Sequence, residues 1–167
     1  IRACGESDFQ AILTLVNAAA EAYRGIIPSD RWSEPYMPAD ALADDIAAGI
    51  QFRGFTEDGA LRGVMGVQEV KDVTLIRHAY VDPSAQRRGI GAALLAHCRA
   101  ATERPLLIGT WAAAGWAIGF YQKHGFRITR AADKDRLLRA YWTIPERQIE
   151  TSVVLADARW FAVKSRF

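Results

Sequence analysis

The chain has 167 residues, 24% of them charged and 50% hydrophobic, with a net charge of +2. That length fits one domain, which buries roughly 70% of the surface its unfolded chain exposes, so folding requires neither a disulfide nor a metal. The small and evenly spread charge falls well short of a nucleic-acid-binding footprint. We therefore expect one globular domain over residues 1–167.

The two cysteines and the hydropathy profile bear on the compartment. Cys4 and Cys98 show neither metal-ligand spacing nor a CxxC pattern, and Cys98 falls in an apolar helical stretch, which predicts a buried thiol. No apolar run reaches about 18 residues, and no secretory signal is visible. These features predict a cytoplasmic protein without a metal site.

The first half of the chain begins with helices and continues with strands. Ser7 to Gln10 reads as a capping box that begins a helix with one apolar stripe to Ala20, and a second helix runs from Pro38 to Gly49. Gly63 and Gly66 predict a bulge or a close backbone approach within a strand. The predicted strands are Gln51–Thr56, Leu61–Val70 and Val73–Val81, the first two joined by a tight turn at Asp58 and Gly59.

The second half alternates strands and helices. Pro83 ends the third strand and Pro105 ends the helix that follows it. The predicted elements are the helix Gly89–Arg104, the strand Leu106–Ile108, the helix Ala113–His124, and the strands Phe126–Arg130 and Ile149–Ala156. Antiparallel strands followed by strand–helix alternation predict an α/β fold, a mixed sheet with helices on both faces.

The segment from Tyr80 to Gly91 predicts an anion-binding loop. A strand ends there, and Gly89 and Gly91 begin a helix whose free N–H groups attract negative charge. Arg87 and Arg88 add positive charge, so a diphosphate is the ligand that we expect at this loop. The pattern matches neither a Walker loop nor a complete dinucleotide fingerprint, and a plain glycine-rich helix start is the alternative.

With its flanks, the run V-D-P-S-A-Q-R-R-G-I-G-A-A-L-L resembles the pyrophosphate motif of the GNAT acetyltransferases, Q/R-x-x-G-x-G/A after a strand ending in V-x-P. The resemblance implies the GNAT fold, a central, mostly antiparallel mixed sheet, with acetyl-coenzyme A (acetyl-CoA) as co-substrate and no metal. It also implies two sets of contacts. The backbone amides of Gln86, Arg87, Arg88, Gly89, Ile90 and Gly91 would bind the pyrophosphate, and Ala79, Tyr80 and Val81 the pantetheine arm.

A second stretch, from Trp116 to Phe126, resembles the family's A-x-x-F-Y-x-K-x-G-F signature. The resemblance implies that Tyr121 protonates the departing thiolate of coenzyme A (CoA); the alternative is that Tyr121 simply fills the core. The chain departs from the family at Ala114, where many members carry an asparagine that contacts the pantetheine or a water. Alanine forms no side-chain hydrogen bond, so either cofactor binding relies on other contacts or the pantetheine is held less tightly.

The acceptor amine must be neutral to attack, and a lysine amine is neutral in only about one molecule in 2,500 at pH 7. Candidate bases are His78, which has a suitable pKa range, and Glu69. The alternatives are that His78 is simply a packed histidine and that Glu69 is a solvated charge at the end of a strand. The choice between His78, Glu69 and water stays open.

Five residues suggest an aromatic acceptor pocket with a cation that could hold a carboxylate in two hydrogen bonds. They are Arg24, Trp32, Tyr36, Arg77 and Trp111. This pattern favours an amino acid or a small acidic amine as acceptor, although Trp32 and Tyr36 could merely pack their loop.

The function that follows is transfer of an acetyl group from acetyl-CoA to a primary amine, of a small molecule, amino acid or protein, by direct attack. The alternatives are a catalytically weak acyl-CoA sensor or interaction module, and an enzyme acting on aminoacylated RNA, which the low charge disfavours. We expect no membrane partner. The apolar tail, with Trp160, Phe161, Val163 and Phe167, docks either on its own sheet or across a homodimer.

Overall fold

The structure, a computed structural model, describes residues 1–164. Within these residues, seven strands form one sheet in the order β1-β2-β3-β4-β5-β7-β6. The strands are β1 (Arg2–Ala3), β2 (Gln51–Glu57), β3 (Ala60–Val70), β4 (Val73–Val81), β5 (Leu106–Trp111), β6 (Arg127–Ile128) and β7 (Ser152–Ala156). Among the strand pairs of the described residues, only β4–β5 is parallel, so the mixed, mostly antiparallel α/β sheet is confirmed.

Helices cover both faces of this sheet, also as expected. They are α1 (Phe9–Ala20), α2 (Ala39–Ala47), α3 (Ile90–Ala100), α4 (Gly115–Lys123), α5 (Ala131–Tyr141), α6 (Glu146–Glu150) and α7 (Ala158–Lys164). Successive residues of a strand face opposite sides of the sheet, so neighbours in β4 belong to different core clusters. Ile76 packs in the cluster with α3 and α4, and Leu75 packs in the cluster with α5 and α6. A third cluster joins α1 and α2 to β2 and β3.

Several expected boundaries are wrong. Strand β5 continues to Trp111 instead of ending at Ile108, and β6 spans only Arg127–Ile128. Helix α1 begins at Phe9, after a 3₁₀ turn over Glu6–Asp8. The Gly5 N–H donates to the Asp8 carboxylate at 2.8 Å and fixes the start of this turn, so Ser7 is not the cap. Helix α3 ends at Ala100. Ile149 lies in α6, and the last strand begins only at Ser152.

The bulge predicted from the glycines is present. The β3–β4 register shifts between the pairs Val64–Tyr80 and Gly66–Arg77, which leaves two β4 residues opposite Met65. A Cβ on Gly66 would lie 2.9 Å from the Arg77 carbonyl oxygen. A side chain at position 66 is therefore excluded by the close approach of β4.

The described part of the tail packs on its own sheet. Trp160 is 7% exposed in the cluster with α5, and Phe161 packs beside it under the Arg127 guanidinium, 3.9 Å from the ring centre. Val163 is exposed, and Phe167 lies outside the described residues. Within residues 1–164, no helix is long and apolar enough to cross a membrane. The cytoplasmic location and the homodimer stay predictions.

Candidate functional site

The loop between β4 and α3 has the backbone geometry of an anion cradle. Arg87 and Gly89 have φ angles of 62° and 80°, in the left-handed region. Left-handed residues in such a turn direct neighbouring N–H groups into one concavity, and the free N–H groups of the first turn of α3 add to it. A Cβ on Gly89 would meet no atom within 4 Å, so glycine is needed there for its φ angle and not for space.

The two arginines of this loop differ in availability. Arg88 donates to both carboxylate oxygens of Glu57, at 2.6 and 3.0 Å, so its charge is already shared with the end of β2. Arg87 makes no ion pair with any residue in 1–164 and lines the cleft next to the loop. The cationic contribution predicted for both arginines thus falls on Arg87.

A cleft of about 810 Å³ runs from this loop between α3 and α4 towards α1; we call it the loop cleft. The predicted cofactor contacts line it with the single exception of Arg88. Those that do are Ala79, Tyr80, Val81, Gln86, Arg87, Gly89, Ile90 and Gly91.

A second, smaller cavity lies where β4 and β5 separate. The two strands pair only from Thr74–Ile76 to Leu106–Ile108, and beyond these pairs they diverge. The space between them, about 140 Å³, is here called the gap cavity. Five residues line both spaces: Tyr23, Ala79, Tyr80, Ala117 and Tyr121. A ligand in the loop cleft and a ligand in the gap cavity would therefore meet at these residues.

Tyr121 lies at this junction on α4. Its ring packs edge-on against Phe120 and Phe126, with centroids 5.1 and 5.8 Å away, and 6% of the residue is exposed. Burial raises the pKa of the Tyr121 hydroxyl above its usual value of 10. The side chain is therefore a protonated O–H donor at neutral pH.

The two candidate bases are in different surroundings. His78 is in the bulge, with φ 50°, and lines the gap cavity, but its Nε2 lies 2.7 Å from Asp45 Oδ2 and its ring stacks on Phe52. Glu69 is exposed near the end of β3, 3.4 Å from the Arg104 guanidinium, and lies outside both cavities.

The structure divides the five acceptor candidates. Tyr36, Arg77 and Trp111 line the gap cavity. Arg24 and Trp32 do not: Arg24 is paired with Glu21 and Glu34 and lies over the Trp32 ring at 4.7 Å. The carboxylate-binding cation expected at Arg24 is already neutralised by these acids.

Sequence reasoning missed three residues at the junction or next to it. Tyr23 ends the 3₁₀ turn after α1 and stacks with Trp116, which is 49% exposed at the loop cleft. Ala117 lines both cavities. Trp116 and Ala117 stand in the second motif, whereas nothing in the sequence around Tyr23 connects it to a site 98 residues away at Tyr121.

Three comparisons with known proteins agree with this geometry. Residues 50–128 match the family model described as an acetyltransferase (GNAT) domain. The peptidyl-lysine N-acetyltransferase YiaC of Escherichia coli is 28% identical over 158 residues, which cover 90% of this chain and 99% of that protein.

Solved structures share the fold. The PaiA N-acetyltransferase from Thermoplasma acidophilum, in complex with coenzyme A, superposes with a TM-score of 0.69 at 16% identity, over 93% of this chain and 96% of that one. A GNAT family acetyltransferase from Elizabethkingia anophelis with acetyl-CoA bound gives a TM-score of 0.54 at 25% identity, over 70% and 80% of the two chains.

Both predicted motifs fall within or next to the match, and the loop cleft they form suits the cofactor that the resemblance implied. In residues 1–164 no cluster of three or more potential metal ligands occurs. In its sheet, its loop and its sequence over residues 50–128, the chain is similar to acetyl-CoA-dependent N-acetyltransferases of the GNAT superfamily.

Proposed function

We propose that the acceptor is the side-chain amine of a lysine in a peptide or protein, and that this amine attacks the thioester of acetyl-CoA directly. The observation that carries the proposal is the junction: the loop cleft and the gap cavity share Tyr23, Tyr80 and Tyr121. A thioester at the inner end of the loop cleft and an amine entering through the gap cavity would meet there.

The cofactor would be held mainly by backbone. The N–H groups from Gln86 to Gly91 form the anion cradle for the pyrophosphate. Along Ala79–Val81, β4 has β3 on one side and no strand on the other, since β5 has diverged. These free backbone groups can bond an extended amide chain such as pantetheine as if it were a strand.

The chemistry needs one proton donor and no covalent enzyme intermediate. The amine nitrogen forms a bond to the acetyl carbon, the carbon–sulfur bond breaks, and the amine loses a proton to solvent. Tyr121 would give its proton to the leaving thiolate and regain one from water, a role typically worth about 10²–10⁴ in rate. Cys98 is not a nucleophile in this scheme, because burial raises the pKa of its thiol to about 11.

The walls of the gap cavity support a lysine rather than a free amino acid. They are largely aromatic or aliphatic, with Tyr36, Trp111 and Trp142 among them, and no carboxylate of residues 1–164 lines the cavity. Aromatic walls pack the methylenes of a lysine stem well. Of the two cations expected to bind an acceptor carboxylate, Arg24 lies outside the cavity. Arg77 lines it, but its guanidinium is already 3.6 Å from the Asp45 carboxylate and donates to Gln68. The similarity to a peptidyl-lysine N-acetyltransferase points the same way.

The test offers the enzyme three acceptors with acetyl-CoA: an Nα-acetylated lysine peptide, a lysine-free peptide with a free N-terminus, and free amino acids. Mass spectrometry locates the added acetyl group. Acetylation of the lysine side chain with the highest kcat/KM supports the proposal. Preferred acetylation of an N-terminus or of free amino acids would overturn it.

A further inference from the structure

Three tyrosines, Tyr23, Tyr36 and Tyr80, line the gap cavity. Together with the Trp111 indole they form what we call the tyrosine cluster. Trp111 Nε1 donates to the Tyr36 hydroxyl oxygen at 3.1 Å. Tyr80 packs edge-on against Tyr23, with ring centroids 6.3 Å apart, and lines the same cavity. The rings of Tyr23 and Tyr36 also pack together, with centroids 5.6 Å apart. These contacts hold the side chains of the cluster in place along one wall of the gap cavity.

A count of donors and acceptors shows what this wall can bind. An indole N–H only donates, so it occupies a lone pair of Tyr36 and adds no acceptor. Any hydrogen bond between two of the hydroxyls uses one hydrogen and one lone pair, so it leaves the balance between them unchanged. The cluster is therefore left with more free lone pairs than free hydrogens, and it suits a guest that mainly donates hydrogen bonds.

The charges around the cavity decide the protonation state of that guest. Burial raises the pKa of Tyr23 to about 12 and also raises those of Tyr36 and Tyr80, so the hydroxyls stay neutral. The titratable side chains that line the cavity are Tyr23, Tyr36, Arg77, His78, Tyr80 and Tyr121.

Asp45 contacts two of these side chains and is shared between them, with Arg77 at 3.6 Å and His78 at 2.7 Å. An ammonium group would thus enter beside the Arg77 guanidinium without a free carboxylate to pair with. An uncharged amine meets no such opposition.

We propose that the tyrosine cluster is a positioning device that receives the acceptor amine in its uncharged form. The amine N–H groups donate to the tyrosine oxygens, chiefly to Tyr36, which Trp111 fixes in place, and the nitrogen lone pair is left facing the thioester. The proposal rests on the proposed function, since it needs an amine in the gap cavity.

The consequence is a specific pH dependence. If only the neutral amine binds, kcat/KM rises tenfold per pH unit until the pH reaches the pKa of the acceptor itself, about 10.4 for lysine. The break in the profile then belongs to the substrate and moves with it. If an enzyme group accepts the proton instead, the break stays at one pH for every acceptor.

The experiment compares two peptides that differ only in one side chain, lysine or 4-thialysine, whose sulfur makes the amine less basic. We expect the break in kcat/KM to move down with the thialysine peptide by the difference between the two amine pKa values, measured by NMR. A break at the same pH for both peptides would overturn the proposal.

Tyr36→Phe tests the positioning residue, because Tyr36 lines the gap cavity only. We expect kcat/KM to fall about three- to tenfold, mostly through a higher KM for the peptide, with the pH break unmoved and the Kd for CoA within about twofold of wild type. Tyr141→Phe is the matched control: its hydroxyl donates to Asp72 at 2.8 Å away from both cavities, and activity should be unchanged.

The outcomes separate the two proposals. CoA binding with no acetylation of either peptide would remove the lysine acceptor and the cluster proposal with it. Acetylation of both peptides with an unmoved break, or with Tyr36→Phe equal to wild type in KM, would leave the lysine acceptor and overturn the cluster proposal alone. Thermal unfolding of each variant checks that it is folded.

Discussion

Replacing Gly66 with alanine tests whether the bulge in β4 is set by close backbone approach. The new Cβ would lie 2.9 Å from the Arg77 carbonyl oxygen and 2.8 Å from Ile50 Cγ2. Backbone cannot rotate away as a flexible side chain can, so β3 and β4 must shift apart. Overpacking of this kind costs about 1–3 kcal/mol, and the smaller entropy of an unfolded alanine chain offsets about 0.4–1 kcal/mol.

The expected net loss is about 1–2 kcal/mol of unfolding free energy, or about 2–8 °C in Tm for a chain of this size. Urea denaturation of Gly66→Ala against wild type measures it. The matched control is Gly119→Ala in helix α4, where a Cβ meets no atom within 4 Å; it should stabilise the protein by about 0.5–1 kcal/mol.

The same substitution should weaken CoA binding, because the bulge sets the direction of the β4 backbone at Ala79 and Tyr80, which line the loop cleft. Calorimetry with CoA gives the second reading. A Gly66→Ala protein as stable as wild type, with unchanged CoA affinity, would refute the assignment of the bulge to this contact.

Three further predictions follow from contacts of single residues. Arg88→Gln should change the Kd for CoA by less than about threefold in calorimetry, because Glu57 already holds the guanidinium; a loss of tenfold or more would contradict this. Ala114→Asn should lower the unfolding free energy by about 1–3 kcal/mol, since residue 114 is fully buried in an apolar cluster; a more stable variant would show that the amide finds a partner. Two hydrogen bonds from the Arg2 guanidinium and one from the Gly5 N–H lower the pKa of Asp8 to about 2. The stabilisation of the folded state by the Asp8 carboxylate is therefore complete above pH 4 and is lost as the pH falls from about 4 to 2. Asp8→Asn should make the unfolding free energy less dependent on pH in that range only.

Much of the fold could be predicted because its signals are local. Strand β4 is predicted at its observed bounds, Val73–Val81, since Lys71 and Asp72 mark its start and Pro83 follows its end. Helix α3 begins next to Gly89, the left-handed residue that the motif supplies. Ile149 was misassigned because an apolar residue before a β-branched run fits a strand, whereas Pro145 begins a short helix that includes it.

The site was less predictable where its geometry depends on partners distant in sequence. The pairing of Arg88 with Glu57 spans 31 residues and that of His78 with Asp45 spans 33, and no periodicity reveals either. The tyrosine cluster combines Tyr23 and Tyr36 with Tyr80, which the motif predicted only for its backbone. The motifs predict the cofactor loop, whereas the acceptor side has no motif and could be proposed only from the fold.

We propose that the loop from Gln86 to Gly91 holds acetyl-CoA so that Tyr121 can protonate the thiolate that leaves. Calorimetry with CoA and a thiol-release assay with the lysine peptide, on wild type, Gly89→Glu and Tyr121→Phe, test it in one set. We predict that Gly89→Glu loses detectable CoA binding, because a charged side chain is forced into a left-handed position in an anion cradle. Tyr121→Phe should bind CoA within about threefold of wild type and lose about 10²-fold or more in kcat. CoA binding unaffected by Gly89→Glu, or Tyr121→Phe turnover equal to wild type, would contradict the account.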